Sequence, residues 1–212
     1  MRPATIVVMA KAPVAGLVKT RLCPPCTPQE AATLARAALL DTLVAVAGAK
    51  VGRRLLALDG RQGDWLPAGI EVVAQRGNGL ADRLAHAVAN APRGAVLVIG
   101  MDTPQVTSAL LDKALSALEY ADAALGAATD GGWWALAMRA AYSGVFDGVA
   151  MSAPTTGADQ LRRLRDLGLH TTALKSLTDV DTYADAQDVA ATIPHSHFAR
   201  ALEFVVPQGI SA

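Results

Sequence analysis

The segment Ile6-Val7-Val8-Met9-Ala10-Lys11-Ala12-Pro13-Val14-Ala15-Gly16-Leu17-Val18-Lys19-Thr20-Arg21-Leu22 decides how this chain folds. Its start, Thr5 to Met9, is an apolar run of the kind that forms a buried strand. The run empties into a loop carrying Lys11, Gly16, Lys19 and Arg21, and a helix start follows at Thr27. A glycine lets backbone approach a ligand closely. Lysine brings a point charge to phosphoryl oxygens and arginine a planar fork. The spacing is not that of a P-loop, and the same loop also suits a solvated surface.

Outward from this segment, strands and helices alternate. Thr27-Pro28-Gln29-Glu30 is a capping box with proline at the first helical position, and Gly48 ends the helix it opens. Strands are expected at Arg54 to Asp59, Ile70 to Gln75, Ala95 to Gly100, Ala123 to Ala128, Trp133 to Met138 and Leu169 to Leu174. Helices are expected from Asn78 or Gly79 to before Pro92, through Leu110 to Leu118, from Thr156 to Leu167, and from the capping box at Thr182 to about Ile193. Repeated βα units imply a mostly parallel sheet covered on both faces, and ligands then sit beyond the carboxyl ends of the strands. One domain spanning residues 1–212 is expected, with a tail from about residue 195. Within that tail Phe198, Phe204 and Val205 have two roles open to them, covering the core or meeting a second copy of the chain in a homo-oligomer.

Composition bounds the function. The 212 residues are 52% hydrophobic and 4% aromatic, so the core is built from small and branched aliphatics. Formal net charge is zero, which leaves no basic footprint for nucleic acid. No stretch approaches the length of a membrane span, and Lys11 soon interrupts the opening apolar run, so neither membrane association nor a secretory leader is expected. A cytoplasmic location follows as the default expectation. Cys23-Pro24-Pro25-Cys26 has C-x-x-C spacing, but His86, His170, His195 and His197 show no zinc-partner spacing. Two incidental thiols are expected.

The polar clusters fall at strand ends. Asp102 follows the Ala95-Val96-Leu97-Val98-Ile99-Gly100 run, where its carboxylate can meet a divalent cation; a turn or cap aspartate is common there too, but the position at the end of the central strand favours function. In Asp179-Val180-Asp181 the two carboxylates point the same way if the segment is extended, with Asp181 the better ligand and Asp179 a brace for the loop. Thr129-Asp130-Gly131-Gly132 precedes Trp133 and Trp134, a pairing that can hold an acceptor ring beside a carboxylate or simply form a hairpin turn. Gln75 to Leu84 joins a strand end to a helix start, where backbone amides, with Gly79 and Arg83, can take an anion.

In order, these segments read K-A-P-x-x-G-x-V-K-T-R-L, Q-x-G-x-G-L-x-x-R, G-x-D-x-P, D-G-G and D-V-D-T-x-x-D. The chain thereby resembles the bacterial DUF2064 family, glycosyltransferase-like proteins of the GT-A superfamily, and more distantly the molybdenum-cofactor and phospholactate guanylyltransferases. The resemblance implies an α/β, three-layer Rossmann-like GT-A fold with a mostly parallel central sheet, and a metal-dependent transferase. Lys11, Gly16, Lys19, Arg21, Gly79, Arg83 and Asp102 would bind the nucleotide or nucleotide-sugar donor. Asp102 and Asp181 would hold Mg²⁺ or Mn²⁺, while Asp130, Gly131, Gly132 and Trp133 would face a small-molecule acceptor. Asp130, Lys19 and Arg21 would take part in catalysis of glycosyl transfer or, alternatively, nucleotidyl transfer, and a non-catalytic nucleotide-binding role is the third reading. Trp133-Trp134, Tyr183 and Met151-Ser152 depart from the family's usual Tyr-Tyr, Pro and Trp-Ser. All of this requires basic side chains on one flank of a common rim and carboxylates on the other.

Overall fold

A computed structural model of the chain describes residues 4–91 and 93–205. Seven strands, β1 (Thr5–Lys11), β2 (Arg53–Asp59), β3 (Glu71–Ala74), β4 (Val96–Ile99), β5 (Ala123–Ala127), β6 (Trp133–Met138) and β7 (Thr171–Ala173), form one sheet in the order β3-β2-β1-β4-β6-β5-β7. Among the described residues there are six α-helices, α1 (Pro28–Gly48), α2 (Gly79–Ala89), α3 (Ser108–Ser116), α4 (Thr156–Asp166), α5 (Tyr183–Thr192) and α6 (His197–Glu203), the last two packing on the outer side of α1. The expected α/β architecture with a mostly parallel sheet is present.

The exception is β6, antiparallel to both β4 and β5. Thr129 to Gly132 thus closes a hairpin, and the other six strands run in one direction. The topology has a direct consequence. Segments leaving β1, β4 and β7, together with the β5–β6 turn, all emerge at one rim. The chain winds from β1 outward to β3, then returns to place β4 on the other side of β1. The resulting switch point, where loops diverge and leave a crevice, lies between β1 and β4.

Alternation along β1 divides the core. Ile6 and Val8 join Leu39, Leu43, Leu97 and Leu111 on one face, under α1 and α3. Val7 and Met9 join Leu84, Val98, Phe146 and Leu164 on the other, under α2 and α4. A third cluster lies on the outer side of α1, where Leu34 and Ala38 meet Val180, Ala186, Val189 and Phe198. Helix α1 is therefore covered on two sides. This corrects the expectation that no segment is long enough to span a membrane: α1, with 21 residues, is long and apolar enough, and 61% of its most apolar window is buried inside the protein. Its apolar character serves two packing faces.

The segment after 195, expected as a tail, carries α6. The Asp41 carboxylate of α1 accepts hydrogen bonds from the N–H groups of His197 (3.0 Å) and Phe198 (2.8 Å), and His197 Nδ1 lies 2.7 Å away. Phe198 and Val205 are buried against α1 and α5 while Phe204 is exposed, so the first of the two roles open to this segment accounts for two of its three apolar residues.

Candidate active site

The loop after β1 is pinned by two buried apolar residues, Val18 and Leu22. Leu22 ends a short 3₁₀ turn (Thr20–Leu22) and enters the α1–α5–α6 cluster. Lys19 caps this turn in the left-handed region, with φ 48° and ψ 37°. A non-glycine residue adopts that conformation at a cost of roughly 1–2 kcal/mol, so something must hold it.

What holds it is an ion-pair network. The Lys19 side chain is only 8% exposed, and its Nζ lies 2.5 Å from Asp102 Oδ1 and 3.8 Å from Asp181 Oδ1. The same ammonium donates to the Val180 carbonyl. Arg21, 73% exposed, places Nη1 2.6 Å from Asp181 Oδ2. The Val180 N–H donates to the Asp102 carbonyl at 2.9 Å, tying the D-V-D segment to the end of β4. Residues distant in sequence, Lys19, Arg21, Asp102 and Asp181, thus share one rim. The expected division into a basic and an acidic flank is corrected: Lys19 and Arg21 each sit directly on a carboxylate, and for Lys19 the reason is burial, since an ammonium with so little exposure needs an anionic partner.

The D-V-D segment is set by the helix it precedes. Thr182 and Asp185 form the expected capping box, and Asp185 Oδ2 accepts from the N–H groups of Thr182 (2.7 Å) and Asp181 (3.3 Å). Burial pushes the Asp185 carboxyl up, but the Thr182 hydroxyl and these two N–H groups outweigh it and hold it below its ordinary range. On its other side Asp181 meets Asp179 and Asp130, and the three offer carboxylate oxygens all within 4.8 Å of one another. Asp179 therefore belongs to the cluster as well as to the loop, a role that its i, i+2 relation to Asp181 already signalled.

Burial first, then the Asp130 charge, with Asp181 adding, raises Asp179 from 3.8 to about 6. The folded chain holds this proton more tightly than the unfolded chain does. Ionising Asp179 therefore destabilises the fold fully above pH 6, and the penalty fades as pH falls from 6 toward 4. Asp179→Asn should raise the melting temperature at pH 7.5 in EDTA and leave it nearly unchanged at pH 4. A thermal-melt series checks this, and an equal gain at both pH values would contradict it.

At the hairpin turn, Asp130 Oδ1 accepts from the Gly132 N–H at 2.7 Å. Gly131 adopts φ +92°, and its carbonyl accepts from the Gly157 N–H (2.8 Å), so the turn is docked on the start of α4. The two tryptophans point to opposite faces: Trp134 is buried, with Nε1 donating to the Lys175 carbonyl (2.9 Å), while Trp133 is half-buried against the α4 side of the core. The Nε1 of Trp133 is buried without a hydrogen-bond partner among the described residues.

Other expected residues lie further along the rim. Lys11 ends β1 with an exposed side chain, and its N–H donates to Met101 Sδ (3.3 Å), beside Asp102. Gly16 has φ +77° and open space around it, as does Gly79 at the start of α2. Arg83, expected to meet an anion, is paired with Asp59 at 2.9 Å. The Asp59 carbonyl in turn accepts from the Ala12 N–H (2.8 Å), so that pair borders the same loop. Asp59 carried no signal beyond its place at the end of β2. Cys23 and Cys26 are unbridged thiols, and burial, helped by Glu30, pushes Cys26 up to about 11, which keeps it protonated at neutral pH.

This fold, with loops converging at the switch point of an open α/β sheet, is of the GT-A-like, Rossmann-type class. The DUF2064 family profile, described as an uncharacterized protein conserved in bacteria, matches residues 30–153, and the chain belongs to that family. A solved structure from Desulfovibrio desulfuricans, described as a candidate nucleotide-diphospho-sugar transferase, shares 28% identity at a TM-score of 0.87, covering 96% of this chain and 95% of that one. A 2-C-methyl-D-erythritol 4-phosphate cytidylyltransferase from Thermus thermophilus has 18% identity and a TM-score of 0.56, over 92% of this chain and 100% of that one. A Mycobacterium tuberculosis protein in complex with manganese has 22% identity and a TM-score of 0.50, over 88% and 97%. These last two likenesses are of fold. No curated protein matches the chain.

Proposed function

We propose that this chain is a nucleotide-dependent transferase that uses a nucleotide-sugar donor with a divalent cation. The observation carrying this reading is the meeting of Lys19 and Arg21 with Asp102 and Asp181 at the sheet's switch point. Four charged groups, two of each sign, suit a ligand that is itself a polyanion with a cation on it. The description of the Desulfovibrio desulfuricans structure supports the same reading.

The donor set fits a hard cation. Asp102, Asp181 and the adjoining Asp130 and Asp179 offer only carboxylate oxygens, which Mg²⁺ and Mn²⁺ prefer together with substrate phosphates. The manganese complex of the Mycobacterium tuberculosis protein is in keeping with this. Asp102 and Asp181 would hold the cation, which would supply Lewis-acid charge to the departing nucleoside diphosphate. Lys19 and Arg21 offset the negative charge that grows on the phosphates. Asp130, exposed on the docked hairpin, orients the acceptor hydroxyl and takes its proton. Trp133 follows that turn on the acceptor side.

One feature favours a second reading, nucleotidyl transfer with release of pyrophosphate. Both cations lie on the single loop after β1, where they can neutralise a pyrophosphate leaving from a nucleoside triphosphate. Calorimetry with a panel of nucleoside triphosphates and nucleotide-sugars, with and without Mg²⁺, tests the proposal. Cation-dependent binding of at least one nucleotide-sugar is expected. Triphosphate binding followed by pyrophosphate release on adding acceptors would replace the first reading with the second. Binding of no nucleotide would overturn both.

A further inference from the structure

The groups assigned to the cation and those assigned to the phosphates already neutralise one another. Lys19 Nζ stands between Asp102 Oδ1 at 2.5 Å and Asp181 Oδ1 at 3.8 Å, which is where a cation bridging the two carboxylates would sit. Arg21 occupies the second Asp181 oxygen at 2.6 Å. The ammonium is nearly buried and is also bonded to the Val180 carbonyl, so it is held at three points. Its backbone is left-handed, a conformation the network must maintain.

We propose that Lys19 is an internal counter-ion that bars either half of the ligand from entering alone, so that the site selects a preformed cation–polyphosphate complex over the free cation or the free polyphosphate. The inference rests on the proposed nucleotide-binding role and adds a regulatory property to it. A free divalent cation must displace a tethered ammonium from Asp102 and leave that ammonium buried beside the newcomer's like charge. A free polyphosphate must draw Lys19 away and leave the Asp102 carboxylate facing phosphate oxygens. The Lys19 side chain is 8% exposed and the Asp102 side chain 45%, so the cost falls chiefly on the ammonium: stripping a nearly buried charge of its partner is unfavourable, whereas the half-exposed carboxylate is partly solvated. When cation and polyphosphate arrive together, the pairs exchange: carboxylates take the cation, Lys19 and Arg21 take the phosphates, and no charge is orphaned. Linkage makes the effect reciprocal, so removing either member of the Lys19–Asp102 pair must ease entry of the half-ligand that the other member binds.

The test uses the full chain and two separate probes. Mn²⁺ alone, followed by electron paramagnetic resonance without nucleotide, should bind Lys19→Met about 10-fold more tightly than the wild type. Inorganic pyrophosphate in EDTA, followed by calorimetry, should bind Asp102→Asn about 10-fold more tightly than the wild type, even though that variant loses a cation ligand. Lys19→Gln repeats the first arm should Lys19→Met fail to fold, and the second arm stands independently. Unchanged or weaker binding in either arm by a folded variant overturns the counter-ion role of Lys19. The parent reading fails differently: wild-type protein would then bind neither Mn²⁺-pyrophosphate nor any Mn²⁺-nucleotide, whatever the variants do.

Discussion

Asp181→Asn is expected to weaken cation-dependent nucleotide binding about 100-fold or more, close to 3 kcal/mol, while the chain stays folded. Asp181 is the carboxylate on which the site converges. One of its oxygens faces Lys19, the other Arg21, and it also lies within the Asp130–Asp179 cluster. Asparagine keeps the shape but removes the charge, so the cation loses a ligand and Arg21 its partner. The side chain is 31% exposed and outside the apolar clusters, so loss of binding should come without loss of the cooperative unfolding transition. Calorimetry with Mn²⁺ and a nucleotide, paired with urea unfolding, separates the two. Binding within a few fold of wild type would remove Asp181 from the site.

The second large effect is on the fold and reaches the site through it. Gly131→Ala is expected to cost about 2–5 kcal/mol. A Cβ at this position would lie 2.0 Å from the Pro154 carbonyl oxygen, and the backbone there has φ +92°. The contact is with backbone, so no side-chain rotation relieves it. Either the hairpin lifts from the start of α4, carrying Asp130 with it, or the 152–157 segment shifts. Gly148→Ala separates clash from backbone strain, because Gly148 also has a positive φ (+73°) but open space around it. It should cost only about 1 kcal/mol. Thermal or urea unfolding of the two variants checks the difference, and equal costs would show that the docking against Pro154 carries no weight.

Much of this architecture is legible in the sequence because local chemistry and tertiary need agree. Thr27 with Glu30, and Thr182 with Asp185, announce two helix starts by satisfying their own first N–H groups. The apolar runs of β1 and β4 announce central strands, and their order implies a rim where Lys19, Arg21, Asp102 and Asp181 meet. What the sequence hides is pairing across long separations. The Thr129 to Gly132 turn allows an antiparallel β5–β6 hairpin, but nothing local says that β6 also inserts beside β4. Helix α6 is only partly hidden: Ser196 caps it locally, accepting from the Ala199 N–H at 2.9 Å, while the other tether of its start, Asp41, lies 156 residues away in sequence. The partners of Lys19 and Arg21 are hidden in the same way: loop cations read as free phosphate ligands until the fold delivers the D-V-D segment to within 2.6 Å of Arg21, 160 residues away. Asp179 illustrates the middle case. Its alternation with Asp181 is visible in sequence, whereas its proximity to Asp130 arises only when the hairpin and the segment after β7 reach the same rim.

Anomalous diffraction from crystals of the chain soaked with Mn²⁺ and the nucleotide that binds best in calorimetry shows where the cation and Lys19 go. A manganese peak is expected between the Asp102 and Asp181 carboxylates, with Lys19 Nζ moved from Asp102 onto a phosphate oxygen. A peak remote from both carboxylates, with Lys19 still seated on Asp102 while nucleotide is bound, would contradict this placement.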